Sequence, residues 1–169
     1  MAKTFYYLFK EIRVRQWLKN LTIFAAIFFT GQLFNARLFH ISFLAFLTFC
    51  AASSSTYVIN DLVDLEKDKL HPFKRNRPLA SGKITKPVAL LIIIVLAITA
   101  FFLAWQISNT FVLVVIAFYI LQFSYSFYFK NVMLLDILLI AASFILRVFA
   151  GEVVTGYHID IWLFLTVIS

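Results

Sequence analysis

The chain has 169 residues, of which 63% are hydrophobic and only 14% charged, and its formal net charge at pH 7 is +7. This composition lies outside the range of soluble globular domains. Interaction with anionic lipid headgroups is sufficient to explain the positive net charge. The sequence contains no nucleic-acid-binding motif, so we expect no nucleic-acid partner. The sequence therefore predicts a protein that lies in the lipid bilayer.

Long apolar runs recur along the chain and predict an all-α, polytopic transmembrane helical bundle. Each run has about 18 to 22 residues, and an α-helix of that length crosses a hydrocarbon core of about 30 Å. A sixth run begins near Ile159 and is too short to cross before Ser169, so we expect a single transmembrane domain, residues 1–169, truncated at its C-terminus. The five complete predicted spans are Trp17–Phe34, Leu38–Ile59, Val88–Ile107, Thr110–Phe129 and Val132–Gly151.

The fifteen basic residues are unevenly distributed and predict the orientation of the bundle. One group precedes or opens the first span, and a second group lies between the second and third spans. Basic loops tend to face the cytoplasm, so the N-terminus and this loop are both predicted to be cytoplasmic. The two groups are Lys3, Lys10, Arg13, Arg15 and Lys19, and then Lys67, Lys69, Lys74, Arg75, Arg77, Lys83 and Lys86.

An acidic motif, Asn60-Asp61-x-x-Asp64-x-x-x-Asp68, follows the second span. On a helix the three aspartates fall within an arc of about 60°, so their like charges lie close together and repel. A hard divalent cation offsets such repulsion, and Mg²⁺ suits a sparse carboxylate set because it keeps waters and binds substrate phosphates. The motif predicts that Asp61, Asp64 and Asp68 bind Mg²⁺, although the spacing alone also fits a solvated acidic helix end.

A basic loop comes directly after the acidic motif. This loop contains three closely spaced cations, Lys74, Arg75 and Arg77, between Pro72 and Pro78. A bare cation channel would gain nothing from these positive charges, whereas a Mg²⁺-diphosphate needs carboxylates for the metal and cations for the remaining phosphate oxygens. The adjacent acidic and basic segments therefore favour a phosphorylated substrate.

Polar residues also surround the turn between the fourth and fifth spans, which lies on the same predicted side as the aspartates. They include Tyr125, Lys130 and Asp136, and Arg147 follows deeper in the fifth span on the same helix face as Asp136. Arg147 lies about 16 Å along the axis from Asp136. An arginine at that depth faces a cavity or a partner, so it predicts a substrate contact or a structural pairing.

The acidic motif and the later Arg77-Pro78-Leu79-Ala80-Ser81-Gly82 together resemble the first signature of the UbiA-type intramembrane transferases. The resemblance implies an all-helical fold of about nine spans around a central cavity, of which this chain would form the N-terminal part. It also implies a Mg²⁺-diphosphate site at Asn60, Asp61, Asp64 and Asp68.

Two further stretches resemble one branch of that family, the decaprenyl-phosphate phosphoribosyltransferases. They are Arg13-x-Arg15-Gln16-Trp17-x-Lys19-Asn20 and the segment with Tyr125, Lys130 and Asp136. Many aromatic prenyltransferases of the superfamily carry a second paired-aspartate motif there, which this sequence lacks. The resemblance implies transfer of 5-phosphoribose from phosphoribosyl diphosphate to a polyprenyl (decaprenyl) phosphate in a bacterial inner membrane.

The expected site follows from these motifs. Asp61, Asp64, Asp68 and Asp136 are the candidate catalytic residues, and the first three are the candidate metal ligands. Two alternatives remain open: a prenyltransferase that uses a polyprenyl diphosphate donor and an aromatic or lipid acceptor, and a non-catalytic transporter or scaffold. The candidate substrate-binding residues are Asn60, Lys19, Lys74, Arg75, Arg77, Tyr125, Lys130 and Arg147.

Overall fold

A computed structural model describes residues 2–129 and 133–159, and this part of the chain is helical without strands. Two 3₁₀ segments and a π-helical segment, Tyr125–Phe129, interrupt the α-helices. The 3₁₀ segments are Val14–Phe24 and Lys74–Asn76. The α-helices are α1 (Ala2–Glu11), α2 (Ala25–Phe29), α3 (Ala36–Val63), α4 (Leu65–Leu70), α5 (Lys86–Ile107), α6 (Asn109–Ser124) and α7 (Met133–Thr155).

Among the described residues, four helices are long and apolar enough to cross a membrane, and they confirm the second to fifth predicted spans. The start of α3 is fixed by Asn35, whose side chain accepts from the backbone N–H groups of the next turn. The start of α6 is fixed in the same way by Ser108, which accepts from Phe111 N–H at 3.1 Å. The predicted sixth span lies outside the described residues.

The first predicted span, Trp17–Phe34, differs from expectation. The chain there forms the 3₁₀ segment Val14–Phe24 and then the five-residue helix α2, rather than one long α-helix. This stretch is not among the described helices that are long and apolar enough to cross a membrane, so the first predicted span is not confirmed.

Hydrogen bonds attach the long 3₁₀ segment to α3. Trp17 and Asn20 lie three residues apart, which is one turn of a 3₁₀-helix, and both contact α3. Trp17 Nε1 donates to Ser54 Oγ at 2.9 Å, and Asn20 Nδ2 donates to Ser53 Oγ at 3.3 Å. These contacts fix the position of the segment against α3.

Helix α3 is the centre of the bundle. It contacts the long 3₁₀ segment, α5, α6 and α7, and its apolar stretch is more than half buried, whereas that of α5 is mostly exposed. Phe49 on α3 packs against Phe111 and Phe118 on α6. Small side chains along α3 let its neighbours approach closely. The segment from α3 through α4 to α5 therefore starts at the central helix of the described bundle.

Candidate active site

The acidic motif lies at the junction of α3 and α4. The backbone hydrogen-bond ladder continues through the junction, because Asp64 N–H donates to Asn60 O at 2.9 Å and Asp68 N–H donates to Asp64 O at 2.8 Å. Asp61, Asp64 and Asp68 are all buried. The three aspartates thus lie along one continuous, buried helical stretch.

Two arginines neutralise part of this acidic cluster. Arg13 Nη2 donates to Asp61 Oδ1 at 2.5 Å, and Arg77 Nη1 donates to the same oxygen at 2.9 Å and to Asp68 Oδ2 at 2.5 Å. Arg13 also lies over the Tyr57 ring and has a positive φ of 52°, which is uncommon for a residue other than glycine. The N-terminal segment and the basic loop are therefore both tied to the end of α3.

A cavity of about 390 Å³ lies beside the cluster; we call it the first cavity. Each of the described side chains that line it carries a polar or charged group. They come from the N-terminal segment, the α3–α4 junction, the basic loop and the end of α6. The lining residues are Arg13, Thr56, Tyr57, Asn60, Asp64, Lys67, Asp68, Lys74, Arg77, Gln122, Tyr125 and Ser126.

Asn60 indicates what the first cavity can bind. Its Oδ1 is buried and has no hydrogen-bond partner among the described residues. A buried acceptor without a donor is costly unless a ligand supplies one. Together with Asp64 and Asp68, it gives a set of hard oxygen donors at the cavity wall, which fits Mg²⁺.

The carboxylates do not form a complete metal cage by themselves. No three His, Cys, Asp or Glu side chains in the described ranges are arranged to hold a metal ion. Asp61 lies behind the cavity wall and is engaged by Arg13 and Arg77. A Mg²⁺ at this site would complete its coordination with waters and substrate phosphates, which is its usual arrangement in phosphoryl-binding sites.

A second cavity, of about 170 Å³, adjoins the first and shares Tyr57, Gln122 and Tyr125 with it. Arg147, which is only 2% exposed, also lines it. The lining residues that it does not share with the first cavity come from the long 3₁₀ segment and from α7. The lining residues are Lys19, Tyr57, Gln122, Tyr125, Leu139, Ile140, Ser143, Phe144 and Arg147.

Neutral groups hold Arg147 in place. Its Nε donates to Asn20 Oδ1 at 2.8 Å, and its Nη1 donates to Ser143 O at 2.6 Å and Ser143 Oγ at 3.1 Å. Its guanidinium carbon lies 5.1 Å from the centre of the Phe118 ring and 5.6 Å from that of Phe144. The arginine therefore has both the cavity and the structural partners that its depth in the span predicts.

Glu11 is a buried carboxyl group that contacts the backbone just after the basic loop. It is 1% exposed, and its Oε2 accepts from Leu79 N–H at 3.3 Å, while its Oε1 has no hydrogen-bond partner in the described part of the chain. Burial, and then the negative charge of Asp61, raise the pKa of Glu11 to about 7. Near neutral pH this carboxyl is therefore a titrating group behind the first cavity.

The structure brings most of the predicted site residues together. Lys19 and Arg147 line the second cavity, and Tyr125 lines both. Arg75 is exposed and lines neither cavity. Lys130 and the side chain of Asp136 lie outside the described residues. The remaining predicted residues at the first cavity are Asn60, Asp64, Asp68, Lys74 and Arg77.

The sequence patterns did not assign Tyr57 or Gln122 to the site. Gln122 had a detectable signal, because it is a polar residue one turn before Tyr125 in a mostly apolar helix. Tyr57 lies one turn before Asp61 on the same helix. Arg13 belongs to the basic group predicted to be cytoplasmic and available to phosphates, but its approach to Asp61 over 48 residues of sequence is a property of the fold.

Comparison with known proteins agrees with this architecture. The model of the UbiA prenyltransferase family matches residues 20–169. The decaprenyl-phosphate phosphoribosyltransferase of Mycolicibacterium smegmatis is 33% identical over 94% of this chain and 51% of its own length. The enzyme of that name from Corynebacterium glutamicum is 36% identical over 92% of this chain and 48% of its own.

A solved structure extends the comparison to three dimensions. The UbiA homolog from Archaeoglobus fulgidus, determined with GPP and Mg²⁺ bound, superimposes with a TM-score of 0.78 at 27% sequence identity. The match covers 96% of this chain and 58% of that one. The chain spans about half the length of the curated relatives it matches.

Proposed function

The chain belongs to the UbiA prenyltransferase family, and from this membership we propose that the protein is a Mg²⁺-dependent intramembrane transferase that moves 5-phosphoribose from phosphoribosyl diphosphate to a polyprenyl phosphate. In this reaction the bond from ribose C1 to the diphosphate oxygen breaks, and a bond from C1 to a lipid phosphate oxygen forms. The diphosphate leaves with the bonding electron pair, so no redox partner is needed.

The observation that carries the proposal is the chemistry of the first cavity. Every described residue that lines it carries a polar or charged group, and oxygen donors and cations occur there together. Such groups suit the phosphates and hydroxyls of a water-soluble sugar diphosphate, whereas a prenyl diphosphate would have to place its apolar chain beyond them. The names of the two curated relatives support the same donor.

Each group of side chains has a proposed task in the first cavity. Asn60, Asp64 and Asp68 hold Mg²⁺, and Lys74 and Arg77 bind the remaining phosphate oxygens. When bound, Mg²⁺ neutralises the charge that develops on the departing diphosphate. Asp61 is a positioning residue, because its carboxylate anchors the guanidinium groups that border the cavity.

The proposal also includes the orientation of the protein. We place the N-terminus, the α3–α4 junction and the basic loop on the cytoplasmic side of a bacterial inner membrane, where a soluble phosphoribosyl donor is available. The concentration of basic residues in these segments supports this placement. Positive charge at the cavity mouth would also attract the anionic donor.

The second candidate is transfer of a prenyl group from a polyprenyl diphosphate to an aromatic or lipid acceptor. It is favoured by the Archaeoglobus fulgidus homolog, whose structures contain the prenyl diphosphates GPP or DMAPP together with Mg²⁺. In this case the donor chain would need an apolar lining beside the diphosphate site, and Leu139, Ile140 and Phe144 of the adjoining second cavity offer one.

Radiolabelled donors separate the two candidates. Membranes of cells that express the protein at its full genomic length are incubated with Mg²⁺, labelled phosphoribosyl diphosphate and polyprenyl phosphate. We expect labelled lipid, and we expect EDTA to prevent its formation. Label that stays in water while the same membranes prenylate an aromatic acceptor would support the second candidate. Failure of both transfers, together with ²⁸Mg²⁺ uptake into vesicles, would support a transporter.

A further inference from the structure

Building on the proposed function, we infer that Lys19 and Arg147 in the second cavity bind the phosphate group of the acceptor lipid. The ligand class is a phosphate monoester on an isoprenoid chain. Lys19 comes from the long 3₁₀ segment and Arg147 from α7, and both line this cavity. The second cavity thereby combines two cations with three lining residues that it shares with the first cavity.

The charge balance of the second cavity points to an anion. Lys19 and Arg147 both line the second cavity, so two positive charges border the same space. Neither forms an ion pair with a carboxylate in the described part of the molecule. Arg77 and Arg13 in the first cavity each have an aspartate partner. A phosphate dianion would supply the missing negative charge.

Arg147 is held in position for such a ligand. The Asn20 amide donates through Nδ2 to Cys50 Sγ and Ser53 Oγ, both at 3.3 Å, so its Oδ1 is directed towards Arg147 Nε. Ser143 fixes Nη1 through two further hydrogen bonds. A guanidinium fixed along one edge is pre-organised to offer its remaining N–H groups to a phosphate.

The other walls of the second cavity fit the rest of the lipid. Leu139, Ile140 and Phe144 on α7 form an apolar side that suits the first isoprene units of the chain. Tyr57 and Tyr125 belong to both cavities. A lipid phosphate bound by Lys19 and Arg147 therefore lies next to the space proposed for the ribosyl donor, and its oxygen can approach ribose C1.

Direct binding tests the inference without requiring turnover. The full-length protein in phosphatidylcholine nanodiscs is titrated with farnesyl phosphate and with farnesol, in the absence of donor. We expect farnesyl phosphate to bind at least tenfold more tightly than farnesol. Lys19→Gln should weaken the binding of farnesyl phosphate at least tenfold and leave that of farnesol unchanged, since a charged hydrogen bond is lost. Lys86→Gln removes an exposed lysine outside both cavities and should leave binding unchanged.

Three results would overturn the inference. Farnesol could bind as tightly as farnesyl phosphate, or Lys19→Gln could bind farnesyl phosphate as tightly as the wild type does. Alternatively, phosphatidylglycerol in the nanodisc or free inorganic phosphate could displace farnesyl phosphate as effectively as unlabelled farnesyl phosphate does. Competition by phosphatidylglycerol would indicate a general anionic lipid site. Competition by inorganic phosphate would indicate an anion site that does not recognise the lipid.

Arg147→Lys supplies a second variant that retains the charge. We expect it to weaken farnesyl phosphate binding while the thermal unfolding midpoint stays near that of the wild type, because only the guanidinium fork is lost. Unchanged binding in this variant would remove Arg147 from the site.

Kinetic measurements separate this inference from the proposed function. If Lys19→Gln raises the KM for polyprenyl phosphate and leaves the KM for phosphoribosyl diphosphate unchanged, both stand. If farnesyl phosphate binding depends on Lys19 while no ribosyl transfer occurs, the acceptor site stands and the proposed donor fails. If transfer occurs and binding does not depend on Lys19, the acceptor site alone fails.

Discussion

The two cavities each contain a partly or fully buried arginine, and the two arginines are stabilised in opposite ways. Arg77 is 26% exposed and bridges two aspartates. Arg147 is 2% exposed and is held by an amide and a serine, with aromatic rings beside it. The first arginine is thus paired with carboxylates, whereas the second has only neutral partners among the described residues.

This difference indicates how the two cavities can select ligands. A site with paired carboxylates and guanidinium groups can accept a ligand that itself carries both signs, such as a Mg²⁺-diphosphate, because both kinds of group can exchange partners. A cavity whose described cations have no carboxylate partner favours a bare anion. We therefore expect the same substitution of Arg77 and of Arg147 to change the free energy of unfolding by different amounts.

The largest effect is expected at Asp64, which lines the first cavity. Asp64→Asn keeps the volume of the side chain and removes a metal-binding charge, so we expect kcat to fall on the order of 1,000-fold, at the upper end for loss of one electrostatic contact. Transfer of labelled phosphoribose is measured over a Mg²⁺ titration, and membrane insertion is checked by fractionation.

The matched control for Asp64→Asn is Glu66→Gln. Glu66 is two residues away in α4, exposed, and paired with Lys69 at 2.9 Å. Surface pairs of this kind contribute little, so the variant should retain wild-type transfer. Wild-type turnover of Asp64→Asn at low Mg²⁺ would contradict the metal site.

Replacing each arginine by methionine tests the comparison most directly. Arg77→Met leaves Asp68 without its described ion-pair partner and Asp61 with Arg13 alone, so we expect the free energy of unfolding to fall by about 3–5 kcal/mol. Arg147→Met removes a buried charge and leaves only neutral partners unpaired, so we expect a loss of about 1 kcal/mol. Thermal unfolding in detergent measures both. A larger loss for Arg147→Met would contradict the different charge balance of the two cavities.

Glu11 provides a pH-dependent test of the cluster behind the first cavity. Its pKa rises from the ordinary 4.5 to about 7 in the fold, so between these values the folded state binds more protons than the unfolded state. Stability therefore falls as pH rises from about 4.5 to about 7, and the loss is complete above pH 7. The full effect is up to about 3 kcal/mol.

Glu11→Gln removes this penalty and keeps an oxygen that can accept from Leu79 N–H. We expect the variant to unfold at a higher temperature than the wild type at pH 8, and the difference to vanish near pH 4. Unfolding midpoints that shift equally with pH in both proteins would show that Glu11 does not titrate in this range.

Sequence patterns predicted the long spans because hydrophobic length alone determines which segments cross a membrane. The spacing of Asp64 and Asp68 is local to one helical stretch, and both line the first cavity. The 3₁₀ form of the first predicted span was not predictable from the apolar run, because hydrophobic length does not distinguish a 3₁₀-helix from an α-helix. The pairing of Arg13 with Asp61 depends on tertiary packing.

The same distinction applies to Arg147. Its depth in the span predicted that it faces a cavity or a partner, but the sequence could not identify Asn20, which lies 127 positions away. That partner determines which edge of the guanidinium remains available for a ligand.

The smallest expected effect on activity belongs to a test of where the first cavity opens. Asn76, in the basic loop, and Asn109, at the start of α6, are both exposed and lie beyond opposite ends of α5. Helix α5 has 22 residues, so its ends are about 33 Å apart and a membrane should separate the two asparagines. The native Cys50 is buried and should contribute little background labelling. We therefore expect Asn76→Cys to react with a membrane-impermeant maleimide only from the cytoplasmic side and Asn109→Cys only from the opposite side, with transfer activity close to wild type in both. Labelling of Asn76→Cys from outside would place the basic loop, and with it the first cavity, away from the soluble donor and would contradict the proposed reaction; labelling of both variants from one side would mean that α5 does not cross.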